Sequence, residues 1–178
     1  YLKKLGQDER KVLRELGVKF GRYHIFLYKL LKPEAVSLRI LLWKNFHQKY
    51  FNLTPPTFGL NFVEDKNIKN KNFMLLCGFE NFENFYVRID ILERLFVQII
   101  NSNPDKNKET KLVPEMLNLL GCNKQSFKKL IEKMNYKTFD KDDDFYFKYN
   151  PKKIIKKKPK KITTSNGPFQ VLKNLNIN

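Results

Sequence analysis

Acidic residues are scarce in this sequence. Asp and Glu number 18 against 35 Lys and Arg, which leaves a net charge of +17. A field of that sign repels cationic partners and attracts polyanions, nucleic acid first and an acidic membrane surface second. Cysteine is rarer still. Cys77 and Cys122 are the only two, and no C-x-x-C pair exists. A disulfide scaffold is thereby excluded and a reduced interior expected. Histidine occurs only as His24 and His47, and with the two cysteines they show none of the ligand spacings of a zinc site. The phosphate-cradling G-x-x-x-x-G-K-[ST] and G-x-G-x-x-G motifs and the H-E-x-x-H zinc motif are all missing. No apolar run approaches the roughly 18 residues of a membrane span, so no membrane partner is expected. The N-terminus lacks the pattern of a signal peptide and an initiator methionine. Tyr1 is therefore expected to be a cut point in something longer.

What the sequence does have is aromatic and aliphatic bulk. Phe occurs 16 times and Tyr 8 times, and 42% of the residues are hydrophobic, enough for a real core. At 178 residues the length suits one domain with a tail. The stretch from Gly17 to Trp43 organises the rest. Asp8 can cap a short helix through Val12, Leu13 and Leu16, which Gly17 ends. Residues 18 to 28 read as extended and mix basic with aromatic types: Lys19, Phe20, Arg22, Tyr23, His24, Phe26 and Tyr28. On single-strand binders such a mixture stacks bases on rings and holds phosphates with cations. The same Phe20, Tyr23 and Phe26 can equally pack beneath the helix that follows. That helix is expected from Pro33 to Tyr50, with Pro at its first turn and Pro55 and Pro56 beyond its end. Apolar residues cover most of its circumference, so the pattern predicts a central helix wrapped by the domain.

Downstream, Phe58 to Val63 and Phe73 to Cys77 read as strands, with Tyr86 to Arg88 returning after a turn. Asp90 and Glu93 have the spacing of a capping box and open a helix through Ile100. Pro114 to Leu120 and Asn123 to Met134 form two short helices about Gly121, the outline of a helix-turn-helix. The second carries Lys124, Lys128, Lys129 and Lys133 on its expected outer face, placed for phosphate contact rather than for reading base edges. Two strands, Tyr136 to Phe139 and Phe145 to Tyr149, flank an aspartate loop. That loop is a solvated turn and not a calcium loop, because Phe145 stands where the EF-hand needs glycine and Pro151 where it needs glutamate. Residues 151 to 178 hold eight lysines and no acid, +8 of the +17. Lys152, Lys153, Lys156, Lys157, Lys158, Lys160 and Lys161 crowd into one run, expected to be unfolded alone and to bind polyphosphates in a salt-dependent way. Pro168 to Leu175 suits a short terminal helix docking back on the body.

Several blocks carry a resemblance. Leu16-Gly17-Val18-Lys19-Phe20-Gly21, Leu30-Leu31-Lys32-Pro33, Leu38-Arg39, Leu41-Leu42-Trp43, Val87 through Leu95, Leu119-Leu120-Gly121-Cys122 and Gly167-Pro168-Phe169 occur in order. Together they resemble the post-helicase region of alphaproteobacterial helicase-related proteins, relatives of the mitochondrial degradosome RNA helicase. Glu80 and Glu83 depart from the pattern, standing where a basic residue and a glycine are expected. The resemblance implies an accessory domain beside RecA-like motor domains that lie upstream. ATP and magnesium belong to that motor, and no cofactor is expected here. An exoribonuclease partner and a bacterial cytoplasmic location, or the mitochondrial matrix, are implied in the same way.

The expected fold is therefore α+β: a mostly helical single domain over 1–150 with a small antiparallel sheet, plus a basic tail over 151–178. No catalytic residue is expected. Single-stranded RNA or DNA is the expected partner, held by Lys19, Arg22, Tyr23, the four lysines of the 124–134 helix and the tail. Two other functions suit the same composition: a module that docks a nuclease or another protein, and a basic ribosome-associated protein.

Overall fold

The computed structural model describes residues 4–48, 52–65, 70–102, 109–141 and 144–150. The lysines of the 152–161 run and the expected 168–175 helix lie outside them. Chain order begins with α1 (Gln7–Glu15), the hairpin strands β1 (Val18–Phe20) and β2 (Ile25–Leu27), a 3-10 turn and α2 (Pro33–Phe46). Next come β3 (Phe62–Glu64), α3 (Lys71–Leu76), β4 (Phe79–Phe82), β5 (Phe85–Arg88) and α4 (Ile89–Asn101). Last are β6 (Thr110–Lys111), α5 (Pro114–Leu120), α6 (Lys124–Lys133), β7 (Tyr136–Lys141) and β8 (Asp144–Tyr149). The α+β class is as expected. The sheet component consists of three small antiparallel sheets, β1-β2, β3-β5-β4 and β6-β8-β7.

The middle sheet joins two hydrophobic clusters, because alternate strand residues face opposite sides. Phe85 and Val87 of β5 enter the larger cluster with α4, α5, α6 and β8, whereas Tyr86 between them enters the smaller one with Val36, Ile40, Phe73 and Phe79. Strand β3 divides likewise, Phe62 to one side and Val63 to the other. One three-stranded sheet thus binds both halves into a single packed unit.

The central helix is α4, not α2. Ile91, Leu92, Leu95, Phe96 and Ile99 are all buried in the larger cluster. In α2 only Val36 and Ile40 are buried, while Leu38, Leu41, Leu42 and Phe46 are exposed. Hydrophobic content misled here: α2 is apolar all round, but the domain covers only one side of it. The expected end at Tyr50 also moves back, with His47 as the C-cap.

Three further expectations change. Residues 73–76 lie in α3 and Cys77 is its C-cap, so this stretch is helical rather than a strand. The Asn70 side chain caps it, Oδ1 accepting from the Phe73 N–H at 2.9 Å. Short apolar runs do not distinguish the two states, and burial of Phe73, Met74 and Cys77 beside an exposed Leu75 is a helical pattern. The expected strand at 58–63 shrinks to β3, with Phe58 and Gly59 in a turn. Asp90 and Glu93 do not form a capping box, because α4 starts at Ile89 with Arg88 as its N-cap. By contrast Gly121 adopts the left-handed conformation that ends α5 (φ 71°), and Asn123 caps α6 through a 2.7 Å bond from the Ser126 N–H.

Exchanging the roles of α2 and α4 has a measurable consequence. Leu95→Ala is expected to cost about 2–5 kcal/mol in urea unfolding, whereas Leu42→Ala stays within about 0.5 kcal/mol. Equal losses would contradict the placement of the core.

Candidate nucleic-acid interface

Between Glu15 and Glu34 the chain carries Lys19, Arg22, Lys29 and Lys32 and no acid. The β1-β2 hairpin folds this cationic segment back on itself, the Gly21 N–H bonding the His24 carbonyl at 2.8 Å. The bend leaves three successive N–H groups pointing one way, and such backbone nests hold anions. Glu93 of α4 fills the nest. Its carboxylate accepts from the N–H groups of Arg22 at 2.6 Å, Tyr23 at 2.9 Å and His24 at 3.0 Å. Glycine at position 21 is what lets the carboxylate approach, since a Cβ there would lie 2.2 Å from Glu93 Cδ. The Glu93 that sequence spacing assigned to its own helix end therefore anchors a loop 70 residues away in sequence.

Two side-chain contacts reinforce the anchor. The Tyr23 ring stacks on Phe96 of α4 with centroids 4.4 Å apart, and partial burial raises its phenol pKa above the ordinary value, with only smaller opposing contributions from Arg22. His24 Nε2 lies 2.6 Å from Glu80 Oε2 on β4. Arg22, on the outer side of the bend, reaches over the Tyr149 ring at 5.8 Å.

Held in this way, the hairpin and α4 enclose an open cleft of about 860 Å³. Five cations line it: Arg14, Lys19, Arg22, Arg88 and Arg94. Phe20, Phe26, Tyr28 and Phe96 stand among them. The two carboxylates of the lining are both engaged. Asp90 takes a two-pronged ion pair from Arg88, at 2.6 Å from Nε and 3.0 Å from Nη2, and Glu93 serves the backbone nest. Among the described residues no carboxylate forms an ion pair with Arg14, Lys19, Arg22 or Arg94. Arg14 lies over the Phe20 ring at 5.4 Å, so cation and ring present one surface. Four uncompensated cations interleaved with rings form a surface on which phosphates and bases can be held together.

Of the residues expected from sequence, the cleft brings together Lys19 and Arg22. Tyr23 belongs to the anchor, with one face on Phe96. The lysines of α6 stand elsewhere, and three have partners. Lys128 pairs with Asp140 at 3.2 Å and Lys133 with Glu83 at 2.7 Å. Lys124 and Lys128 both lie over the Phe145 ring, at 6.0 and 5.5 Å. Lys129 is exposed. Sequence reading missed Arg14, Arg88 and Arg94. The signal for Arg94 was present, because Asp90, Arg94 and Val97 recur at helical spacing on one side of α4. Nothing local joins Arg14 to that row.

Neither thiol suggests chemistry. Burial pushes both Cys77 and Cys122 up to about 11, far from the thiolate a nucleophile requires. Among the described residues no group of His, Cys, Asp and Glu is placed to hold a metal ion, and no helix is long and apolar enough to cross a membrane. Comparison with protein families, with curated proteins and with solved structures gave no match.

The anchor can be tested directly. Glu93→Ala strands three N–H donors and is expected to cost about 1–3 kcal/mol. In hydrogen exchange the amides of Arg22, Tyr23 and His24 lose protection while those of Leu92 and Leu95 keep theirs. Unchanged protection at 22–24 would show that the hairpin stands without Glu93.

Proposed function

We propose that this chain binds single-stranded nucleic acid in the cleft between the β1-β2 hairpin and α4, as an accessory domain of a helicase. The observation that supports the reading best is the charge balance of the cleft. Its two carboxylates are engaged within the fold, while Arg14, Lys19, Arg22 and Arg94 line it without ionic partners among the described residues. The backbone of a strand lies along those cations, and an unpaired base stacks on the accessible rings, Tyr28 first, which is 52% exposed. A duplex keeps its bases stacked on each other and offers such rings nothing, so the preference is for single strands. The reading needs no chemistry from this chain. ATP hydrolysis belongs to the upstream motor implied by the sequence resemblance, and the cleft grips the strand that the motor moves. The lysine run at 152–161 adds sequence-independent attraction, and exposed Lys129 adds to it from α6.

Binding of a labelled oligonucleotide to the full chain, followed by anisotropy from about 50 to 200 mM salt, tests the cleft. Each phosphate neutralised on a single strand contributes about 0.7 to the steepness of log K against log salt. The triple variant Arg14→Gln, Lys19→Gln, Arg94→Gln is expected to flatten that slope by about 2. Tyr28→Ala is expected to cost about 1–3 kcal/mol with the slope nearly unchanged. A triple variant with the parent's slope, or equal affinity for duplex, would overturn the proposal. The motor is tested separately by reading the gene upstream of Tyr1, where a G-x-x-x-x-G-K-[ST] motif is expected and its absence would refute the helicase context.

A further inference from the structure

The sheet β6-β8-β7 has two faces, and the core is built on one of them. Phe145 and Phe147 of β8 enter the larger cluster, and Tyr136 of β7 packs against it. Alternation sends the residues between them to the opposite face. There Lys137 stands across from Lys148, Phe139 from Tyr146 and Lys141 from Asp144, with Lys111 of β6 beside Tyr146. The Phe139 and Tyr146 rings are stacked, 8° from parallel with centroids 6.0 Å apart. Both are partly exposed, and neither belongs to a hydrophobic cluster.

Charge distinguishes this face from an ordinary sheet surface. Like charges directly opposite each other on paired strands are destabilising. Lys137 and Lys148 stand in that relation, both exposed. Among the described residues neither forms an ion pair with a carboxylate. Lys111, on the same face, is paired with Asp144. Glu109, one residue before β6, is exposed and joins no ion pair among the described residues. Asp142 and Asp143 separate β7 from β8 in sequence, so they adjoin Lys141 and Asp144 rather than Lys137 and Lys148. Two facing cations call for an anion between them, and the ring pair two residues along calls for a flat apolar partner. A nucleotide supplies both. An acidic peptide would meet the lysines and leave the rings uncovered, and an apolar surface would bury the lysines unpaired. Arg22 of the cleft lies over Tyr149, the neighbour of Lys148, so cleft and sheet adjoin at this end.

We propose that the outer face of the β6-β8-β7 sheet is a second contact for single-stranded nucleic acid, with a phosphate between Lys137 and Lys148 and bases stacked on Phe139 and Tyr146. This rests on the reading of the chain as a strand binder and uses none of the cleft's residues. A labelled single-stranded oligonucleotide is titrated onto the full chain by anisotropy, in the parent and in the cleft variant Arg14→Gln, Lys19→Gln, Arg94→Gln. In either background Phe139→Leu, Tyr146→Leu is expected to weaken binding at least about tenfold, or about 1.4 kcal/mol, with the salt slope nearly unchanged. Lys137→Gln, Lys148→Gln is expected to flatten that slope by about 0.7, the share of one phosphate. With the like-charge pair removed, it is also expected to unfold at no lower urea concentration than the parent. Polyglutamate carries charge without bases, and its binding is expected not to respond to the leucine variant. An equal loss of both ligands would make the rings structural, as cross-strand ring pairs also steady a hairpin, and would overturn the proposal. Sheet variants that bind the oligonucleotide as tightly as their own background would overturn it too, whatever the cleft variant does. Loss with the sheet variants and none with the cleft variant would keep this surface and retire the cleft.

Discussion

One carboxylate accepting three backbone N–H bonds holds the candidate site in shape. A two-stranded hairpin of three-residue strands is marginal by itself. Here its bend is tied to the most deeply buried helix through Glu93, at distances of 2.6 to 3.0 Å. A charged acceptor strengthens each bond, and glycine at 21 is the condition for the approach. The same bonds set three N–H dipoles against the Glu93 carboxylate and so weaken its field at the cleft wall. Had Glu93 faced the opening, its carboxylate would have repelled phosphate at the centre of the lining. The Arg88–Asp90 pair treats the other carboxylate in the same way. The cleft is cationic because its lining carries five cations against two acids, and both acids are held within the fold.

A division of labour follows from this arrangement. Helix α4 gives one face to the larger core through Leu92, Leu95, Phe96 and Ile99, and its opposite face, with Arg94, to the cleft. The middle sheet ties that core to a smaller one beneath α2, so both surfaces of interest rest on rigid elements. The two surfaces differ in chemistry. One interleaves cations with rings, and the other is an aliphatic strip along α2. Polyphosphate suits the first.

The sequence made some of this legible for local physical reasons. Proline at the starts of α2 and α5, Asn123 before α6 and Gly121 after α5 act within one turn of chain, and their elements appear where expected. Alternation revealed β8, and the basic-aromatic mixture at 18–28 pointed to Lys19 and Arg22. Non-local choices were not legible. Helix α2 is the more continuously apolar, yet α4 became central because α5, α6, β5 and β8 all pack against it. Glu93 stood at capping-box spacing from Asp90, but its carboxylate joined a loop that only the tertiary fold brings near. The partners of the α6 lysines were equally non-local, since only the tertiary fold brings Asp140 beside Lys128 and Glu83 beside Lys133. Arg14 reaches the cleft only because α1 packs next to β1.

The claim that matters most is where a bound strand lies. Ultraviolet crosslinking of the full chain to an oligonucleotide carrying 4-thiouridine, followed by mass spectrometry, locates it residue by residue. Adducts are expected on Tyr28, the exposed ring of the cleft lining. Adducts confined to residues 124–133, or to the 152–161 lysine run with none on the hairpin, would contradict the account.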